Sequence, residues 1–274
     1  MNNDLRNITE FLIQSHGYNI SVFEDSFLLK SLEKRVDITG NRSISNYLEY
    51  LKTNKDEADV LVESLNINYS EFFRNPLTFA YIEQVILPTF FEKKRKNKEN
   101  DIRIWSAACA SGQEAYSIAI LCDEIKQNIK TNIACRIFAT DINNEEISNA
   151  QMGVYPATAL NKVTLYRIQT CFIQSGGYYS IIPRIKKYVD FSIFDLLENK
   201  GGSPPASIYG NFDLVFCSNL LFYYKPDYRI RILEKIGNSI SIGGYLISGE
   251  TEREILKDNN FREVFVNSAI FQKT

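Results

Sequence analysis

The chain has 274 residues, enough for one large domain or two ordinary ones, and its 45% hydrophobic and 23% charged residues are the composition of a globular protein, not a disordered one. A formal charge of −2 argues against a nucleic-acid binder, whose phosphate contacts need a basic face, while leaving room for local basic patches. His16 is the single histidine, so a zinc site or a Ser-His-Asp triad would have to be built almost without imidazole.

The five cysteines, Cys109, Cys122, Cys135, Cys171 and Cys217, form no Cys-x-x-Cys pair, and three lie in or beside apolar, strand-like runs. They read as small buried hydrophobes of a reducing compartment. The chain opens on Asn, Asp and Arg, and no apolar run approaches the ~18 residues of a membrane span. A cytoplasmic protein without signal peptide or membrane insertion is expected.

Residues 1–90 read as helices. Ile8, Phe11 and Leu12, then Phe27, Leu28 and Leu32, then Tyr47, Leu48 and Leu51, then Val60, Leu61 and Leu65 recur at three- and four-residue steps. Ser43 and Ser45 are candidate caps for a helix starting near Ile44. Lys30, Lys34 and Arg35 form either a solvated face or a docking surface. Pro76 can open a helix in its first turn, leading to an amphipathic segment over Leu77–Phe91. The charged stretch 91–101 is expected to be a surface linker to a second domain over 102–274.

From Ile102 onward strands and helices alternate: a strand over Ile102–Ala107, a helix over Glu114–Ile125, a strand over Cys135–Thr140 and a helix over Asn143–Gln151. Such alternation implies a doubly wound α/β fold with a mostly parallel sheet. Tyr178–Ile182 and Tyr188–Ile193 interrupt the rhythm, with Gly176-Gly177 before the first run. They suggest a small antiparallel β insertion near 165–192 whose second run returns to the main sheet. A strand over Phe212–Cys217, a helix over Asp227–Ile236 and a strand over Gly243–Ser248 complete the expected order.

Four places carry chemistry. Ile102–Ile120 reads as strand, small-residue turn and helix start, where a nucleotide-like cofactor could meet free helix N–H groups. Gly112 is the lone glycine of that turn, so the stretch is neither a G-x-G-x-x-G fingerprint nor a phosphate-cradling loop. Asp141, at the tip of the second strand, suits either a ribose diol or the cap of the next helix. Asn68-Tyr-Ser-Glu-Phe-Phe-Arg74 combines polar groups, two aromatics and a guanidinium, and suits capping and core packing as well as a site. In Cys217-Ser-Asn-Leu-Leu-Phe-Tyr-Tyr224, Asn219 falls at the ligand edge of a strand and Tyr223 one turn later, where ligand contact competes with capping.

Together these blocks resemble the chemotaxis receptor methyltransferases, the CheR family, along nearly the whole chain. That family shows Asn-x-Thr-x-Phe-Phe-Arg, Trp-Ser-Ala-x-Cys-Ser-x-Gly-Glu-Glu-x-Tyr-Ser, Ala-Thr-Asp-Ile, Gly-x-Tyr and Phe-Cys-Arg-Asn-x-x-x-Tyr-Phe in that order. This chain has Asn68–Arg74, Trp105–Ser117, Ala139–Ile142, Gly153–Tyr155 and Phe216–Tyr224. The resemblance implies a class I S-adenosylmethionine-dependent methyltransferase domain behind an all-helical N-terminal domain. Carried over by position, the cofactor contacts would be Asn68, Ser70, Arg74, Glu114, Asp141, Asp195, Leu196 and Asn219, with Ser218 beside them, and Arg74 and Tyr223 would line the methyl-transfer site. The reaction implied is glutamyl methyl ester formation on the cytoplasmic helical region of chemoreceptors, by a monomer that yields S-adenosyl-L-homocysteine. No metal is implied.

Departures from the pattern are Ser70 for Thr, Gln113 for the first Glu of a pair, Asp195 for Asn, and Ser218 for an Arg. The last removes a guanidinium from the cofactor edge and implies weaker cofactor binding. Two other readings stay open: a non-catalytic cofactor-binding regulator, and a methyltransferase acting on a different protein or a small molecule.

Overall fold

The computed structural model describes residues 3–66, 68–198, 201–207, 210–257 and 259–273. They divide into two compact units, residues 1–67 with Phe222–Arg229, and Asn68–Leu221 with Ile230–Thr274.

The first unit is built on four helices: α1 Asn3–His16, α2 Asp25–Ile38, α3 Ile44–Thr53 and α4 Lys55–Ser64. Each buries one stripe, Leu5, Ile8 and Leu12 of α1 against Leu28 and Leu32 of α2, Tyr47 and Leu51 of α3, and Ala58 and Leu61 of α4. Val60, expected in that stripe, is on the exposed side of α4, and Ala58 takes its place in the core. Ser43 caps α3 by accepting from the Asn46 N–H, whereas Ser45 donates to Asp4. Arg35 turns inward from the charged face on which Lys30 and Lys34 stay exposed. Its guanidinium grips both oxygens of the buried Glu57, which also accepts from the Tyr47 hydroxyl at 2.6 Å. The segment Phe222–Arg229 joins this unit through backbone pairing at Phe23 and Tyr224 and an ion pair from Arg229 to Glu24.

The second unit opens with α5 Pro76–Tyr81, a wider turn over Ile82–Ile86, and α6 Leu87–Asn97. Pro88 in the first turn of α6 has no N–H to give, which accounts for the local widening. The stretch expected to be a linker over 91–101 is thus helical to Asn97. Its basic residues sit in the last turn, where they complement the helix dipole, and Lys94 pairs with Asp213 and Glu99. The unit division also places Asn68–Asn97 with the sheet.

The strands and helices that follow are β1 Asp101–Ala107, α7 Gln113–Ile129, β2 Ala134–Asp141, α8 Asn144–Met152, β3 Val154–Pro156, α9 Leu165–Cys171, β4 Phe172–Ser175, β5 Tyr178–Ile181, α10 Pro183–Lys186, β6 Val189–Ile193, β7 Phe212–Cys217, α11 Pro226–Ser239, β8 Ile240–Ser248, α12 Arg253–Lys257, β9 Phe261–Glu263 and β10 Ile270–Lys273. Seven strands form one sheet in the order β6-β2-β1-β7-β8-β10-β9. β6, β2, β1, β7 and β8 run parallel, and β10 is antiparallel to both its neighbours. The order reverses at β1, so the loops leaving the carboxyl ends of β1, β2, β6 and β7 surround one crevice.

The inserted sheet is β3-β5-β4, all antiparallel. It spans 154–181, earlier than expected, because Gly176-Gly177 is the β4–β5 hairpin turn and not a lead-in to a lone strand. Gly176 takes the left-handed conformation that such a turn requires. Val189–Ile193 returns to the main sheet beside β2. All five cysteines are buried thiols.

Removing the Glu57 carboxylate strands Arg35 and Tyr47 in the helical core. Glu57→Ala is expected to destabilise the first unit by about 3 kcal/mol, read as lost hydrogen-exchange protection of the α2–α4 amides.

Candidate active site

The crevice is floored by the β1–α7 loop, where Ala108, Ala110 and Gly112 all adopt left-handed backbone, with φ of 61°, 45° and 90°. Two alanines in that region cost conformational energy, and the surrounding hydrogen bonds hold them there. The Cys109 N–H donates to the Thr140 carbonyl at 2.9 Å, the Ala110 N–H to Asp141 Oδ2 at 2.8 Å, and the Tyr155 hydroxyl to the Ser111 carbonyl at 2.7 Å. Gly112 is required for packing as well as for its φ. A Cβ there would stand 2.9 Å from Ala150 Cβ and 3.2 Å from the Phe191 ring.

Glu114 sits in the first turn of α7 and accepts from the Ser106 hydroxyl at 2.7 Å. The Ser218 hydroxyl bonds it as well, so the residue that departs from the family pattern meets the acid directly. Burial pushes the Glu114 carboxyl up to about 7, the two hydroxyls and the Arg74 charge pull it back, and the Glu252 charge adds to the rise.

Asp141 is buried at the tip of β2, with Oδ1 accepting from the Asn143 N–H at 2.9 Å. Burial raises its pKa, and bonds from the backbone of Asn143, Ala110 and Ile142 oppose the rise. It is not the cap of the next helix. That role belongs to Asn143, whose Oδ1 accepts from the Glu145 and Glu146 N–H groups. Two lone pairs per carboxylate oxygen leave Asp141 able to accept further donors.

Arg74 follows Phe73, a bulky residue at φ 51°. The Phe73 N–H is held by Ser117 Oγ at 3.0 Å, and its ring lies between Phe79 and the Arg167 guanidinium. This contact set keeps a strained backbone turn in place just before Arg74. The Arg74 guanidinium lies 5.1 Å from the Tyr69 ring centroid. Asn68 is exposed and Ser70 half-buried in the same loop. Lys162 braces the loop through Glu71 at 2.6 Å and the Arg74 carbonyl at 3.2 Å.

Asp195 and Leu196 follow β6. Asp195 Oδ1 accepts from the Leu197 N–H at 2.7 Å, and Leu196 is buried. Ile142, Ile193, Phe194, Asp195, Ser203 and Pro205 line a cleft of about 590 Å³, with Ile142 and Ile193 presenting exposed side chains. Asn219, two residues past β7, takes left-handed backbone at φ 61°, its N–H donating to Glu252 Oε2 at 2.7 Å. Among the described residues, Asn219 Oδ1 and Glu146 Oε2 are buried acceptors with no partner.

The second unit therefore brings together Arg74, Glu114 and Ser218 at one edge, and Asp141, Asp195, Leu196 and Asn219 at neighbouring strand ends. Tyr223 falls in the first unit, where its ring packs edge-on to Phe27 at 4.8 Å. Sequence reasoning passed over Ser106, Ile142, Glu146, Tyr155 and Glu252. Glu146 sits one turn into α8, five residues after Asp141, a spacing that could have found it. Glu252 lies between the exposed Glu250 and Glu254 and carries no local signal.

A doubly wound sheet with an acidic crevice at its switch point and a reversed strand, β10, inserted next to its far edge defines a class I S-adenosylmethionine-dependent methyltransferase domain. The family model described as "CheR methyltransferase, SAM binding domain" matches residues 68–270. The chain belongs to the CheR methyltransferase family. It is 30% identical over 259 residues to Chemotaxis protein methyltransferase 1 of Pseudomonas aeruginosa, covering 92% of this chain and 90% of that protein. It is 26% identical over 252 residues to the Chemotaxis protein methyltransferase of Borreliella burgdorferi, covering 91% and 87%. Chemotaxis protein methyltransferase 1 of Vibrio cholerae is 30% identical over 236 residues, covering 84% and 82%. The donor set fits the cofactor: carboxylates suit its ammonium and ribose diol, and the buried Asn219 Oδ1 is an acceptor with no partner among the described residues. Among the described residues, no helix is long and apolar enough to cross a membrane.

Glu114 holds its proton to about pH 7 in the folded protein, against 4.5 for an ordinary glutamate. Between those values the native state binds more protons than the unfolded chain, so stability falls as pH rises. Without bound cofactor, Glu114→Gln is expected to flatten that decline and to be more stable than the parent at pH ~8, as read by urea denaturation.

Proposed function

We propose that this methyltransferase transfers its methyl group to glutamate carboxylates on the helical cytoplasmic region of chemoreceptors, forming glutamyl methyl esters. The observation that carries this reading is Arg74. A guanidinium held behind a strained Phe73, its charge reaching the acid-lined edge at Glu114, suits an incoming carboxylate through paired N–H donors. The names of the relatives in three bacteria point the same way.

S-adenosylmethionine supplies a methyl on a sulfonium, already a good leaving group. The chain's own residues bind and align. Glu114 would hold the ammonium of the cofactor, and Asp141, which ties the β1–α7 loop through the Ala110 N–H, would accept from the ribose hydroxyls. Asp195 would hold the purine amine, with Ile142 and Leu196 offering apolar surface to the ring. Ser70 and Asn68 complete the loop that carries Arg74. A glutamate is ionised at neutral pH, so the acceptor needs no general base, and alignment of oxygen, methyl and sulfur supplies most of the rate. A monomer acting in the cytoplasm is the simplest form of this reading.

Incubation of the full chain with methyl-labelled S-adenosylmethionine and chemoreceptor cytoplasmic fragments is expected to give a base-labile methyl ester. Arg74→Ala and Asp141→Ala should each lower its formation by at least about 100-fold. Cofactor binding without ester on any receptor would favour a non-catalytic regulator, a reading that the loss of an arginine at Ser218 supports.

A further inference from the structure

Glu252 is fully buried, and the bonds that hold its carboxylate come from backbone and from no cation among the described residues. It lies four residues beyond the end of β8, and its carboxylate is surrounded by backbone. Oε2 accepts from the Asn219 N–H at 2.7 Å and the Gly249 N–H at 2.8 Å, and Oε1 from the Leu221 N–H at 2.6 Å. The Leu220 N–H bonds it as well. Four backbone donors on one carboxylate form a cage that only an ionised acid can fill, since a neutral side chain would bring its own protons toward them.

The cage shapes the carboxyl end of β7. Asn219 sits at φ 61° with its amide packed against Gly249, where a Cβ would come within 2.6 Å of Nδ2. That arrangement leaves Asn219 Oδ1 buried and unclaimed among the described residues. An unpaired buried acceptor is costly unless a ligand completes it.

We propose that Glu252 is a positioning residue for the methyl donor, clamping the backbone of Asn219–Leu221 and Gly249 so that Asn219 Oδ1 is presented as a ready acceptor for a cofactor N–H or O–H. The proposal rests on the cofactor reading of this crevice. It adds a second consequence, because the Glu252 charge is felt at Glu114. Arg74 favours the ionised Glu114, Glu252 opposes it, the hydroxyls of Ser106 and Ser218 favour it, and the thiol of Cys217 is near both acids. Glu252 thus fixes the shape of one cofactor contact and the pH at which another becomes charged.

The test is calorimetric titration of the full-length protein with S-adenosylhomocysteine between pH ~6 and ~8.5. The parent is expected to bind more tightly as pH rises and to level off above the Glu114 pKa, releasing a proton at the acid end. Glu252→Gln is expected to bind about tenfold more weakly at pH ~8.5, with the midpoint of its pH profile moved to lower pH, because a like charge has been taken from Glu114. Glu252→Asp keeps the charge and shortens the reach. It should bind more weakly with its midpoint unmoved, and it serves where Glu252→Gln does not fold. Parent-like affinity and midpoint in a folded Glu252→Gln, or parent-like affinity in Glu252→Asp, would overturn the positioning role. Absence of binding by the parent would instead overturn the cofactor reading itself.

Discussion

Parallel strands end with backbone N–H groups that have no partner in the sheet, and in this protein carboxylates, two of them buried, take up such groups. Asp141 holds Ala110 and Asn143, Glu252 holds Asn219, Leu221 and Gly249, and Asp195 holds Leu197. Burying Asp141 and Glu252 costs desolvation, seen in their raised pKa values, and both recover part of that cost in charge-assisted bonds. The crevice is therefore not a gap left between loops. Its walls are stiffened by the same class of group that would face a cationic cofactor.

Strain is placed beside those clamps. Ala108, Ala110, Phe73 and Asn219 all hold left-handed backbone, and all flank the crevice. Non-glycine residues tolerate this conformation where the surroundings over-determine it. Here they do: Tyr155 and Asp141 tie the β1–α7 loop, Ser117 ties Phe73, and Glu252 ties Asn219. Tyr155 also links the inserted sheet to the floor of the site, its ring lying edge-on to Phe72 at 4.9 Å. The insertion thus supports the loop beneath the cofactor edge.

The alternation of strand and helix from Ile102 was legible because each buried strand is a short apolar run and each helix follows a polar turn. So was Asp141, whose place at a strand tip follows from topology alone. The inserted sheet was misplaced because its first strand, Val154–Pro156, is three residues long, too short for a period-two pattern to register. The last two strands were missed for the same reason. Glu252 was invisible for a different one: two residues either side lie the exposed acids Glu250 and Glu254, and nothing local marks which carboxylate is buried. Its partners are brought to it only by the pairing of β7 with β8. A contact made through backbone N–H groups leaves no residue-type signature on the other side.

The exchange of an arginine for Ser218 gains a definite meaning from this arrangement. Ser218 bonds Glu114 as a neutral hydroxyl, so Arg74 is left as the positive charge that favours ionised Glu114, with Glu252 opposing it. A second guanidinium at that position would favour ionised Glu114 further, in the same direction as the Arg74 charge. With serine there, the acid comes up to about 7, and the charge that completes it has to arrive with the ligand. The cofactor contact proposed at Glu114 would thereby couple affinity to a proton, through two residues, Ser218 and Glu252, that lie away from the methyl group.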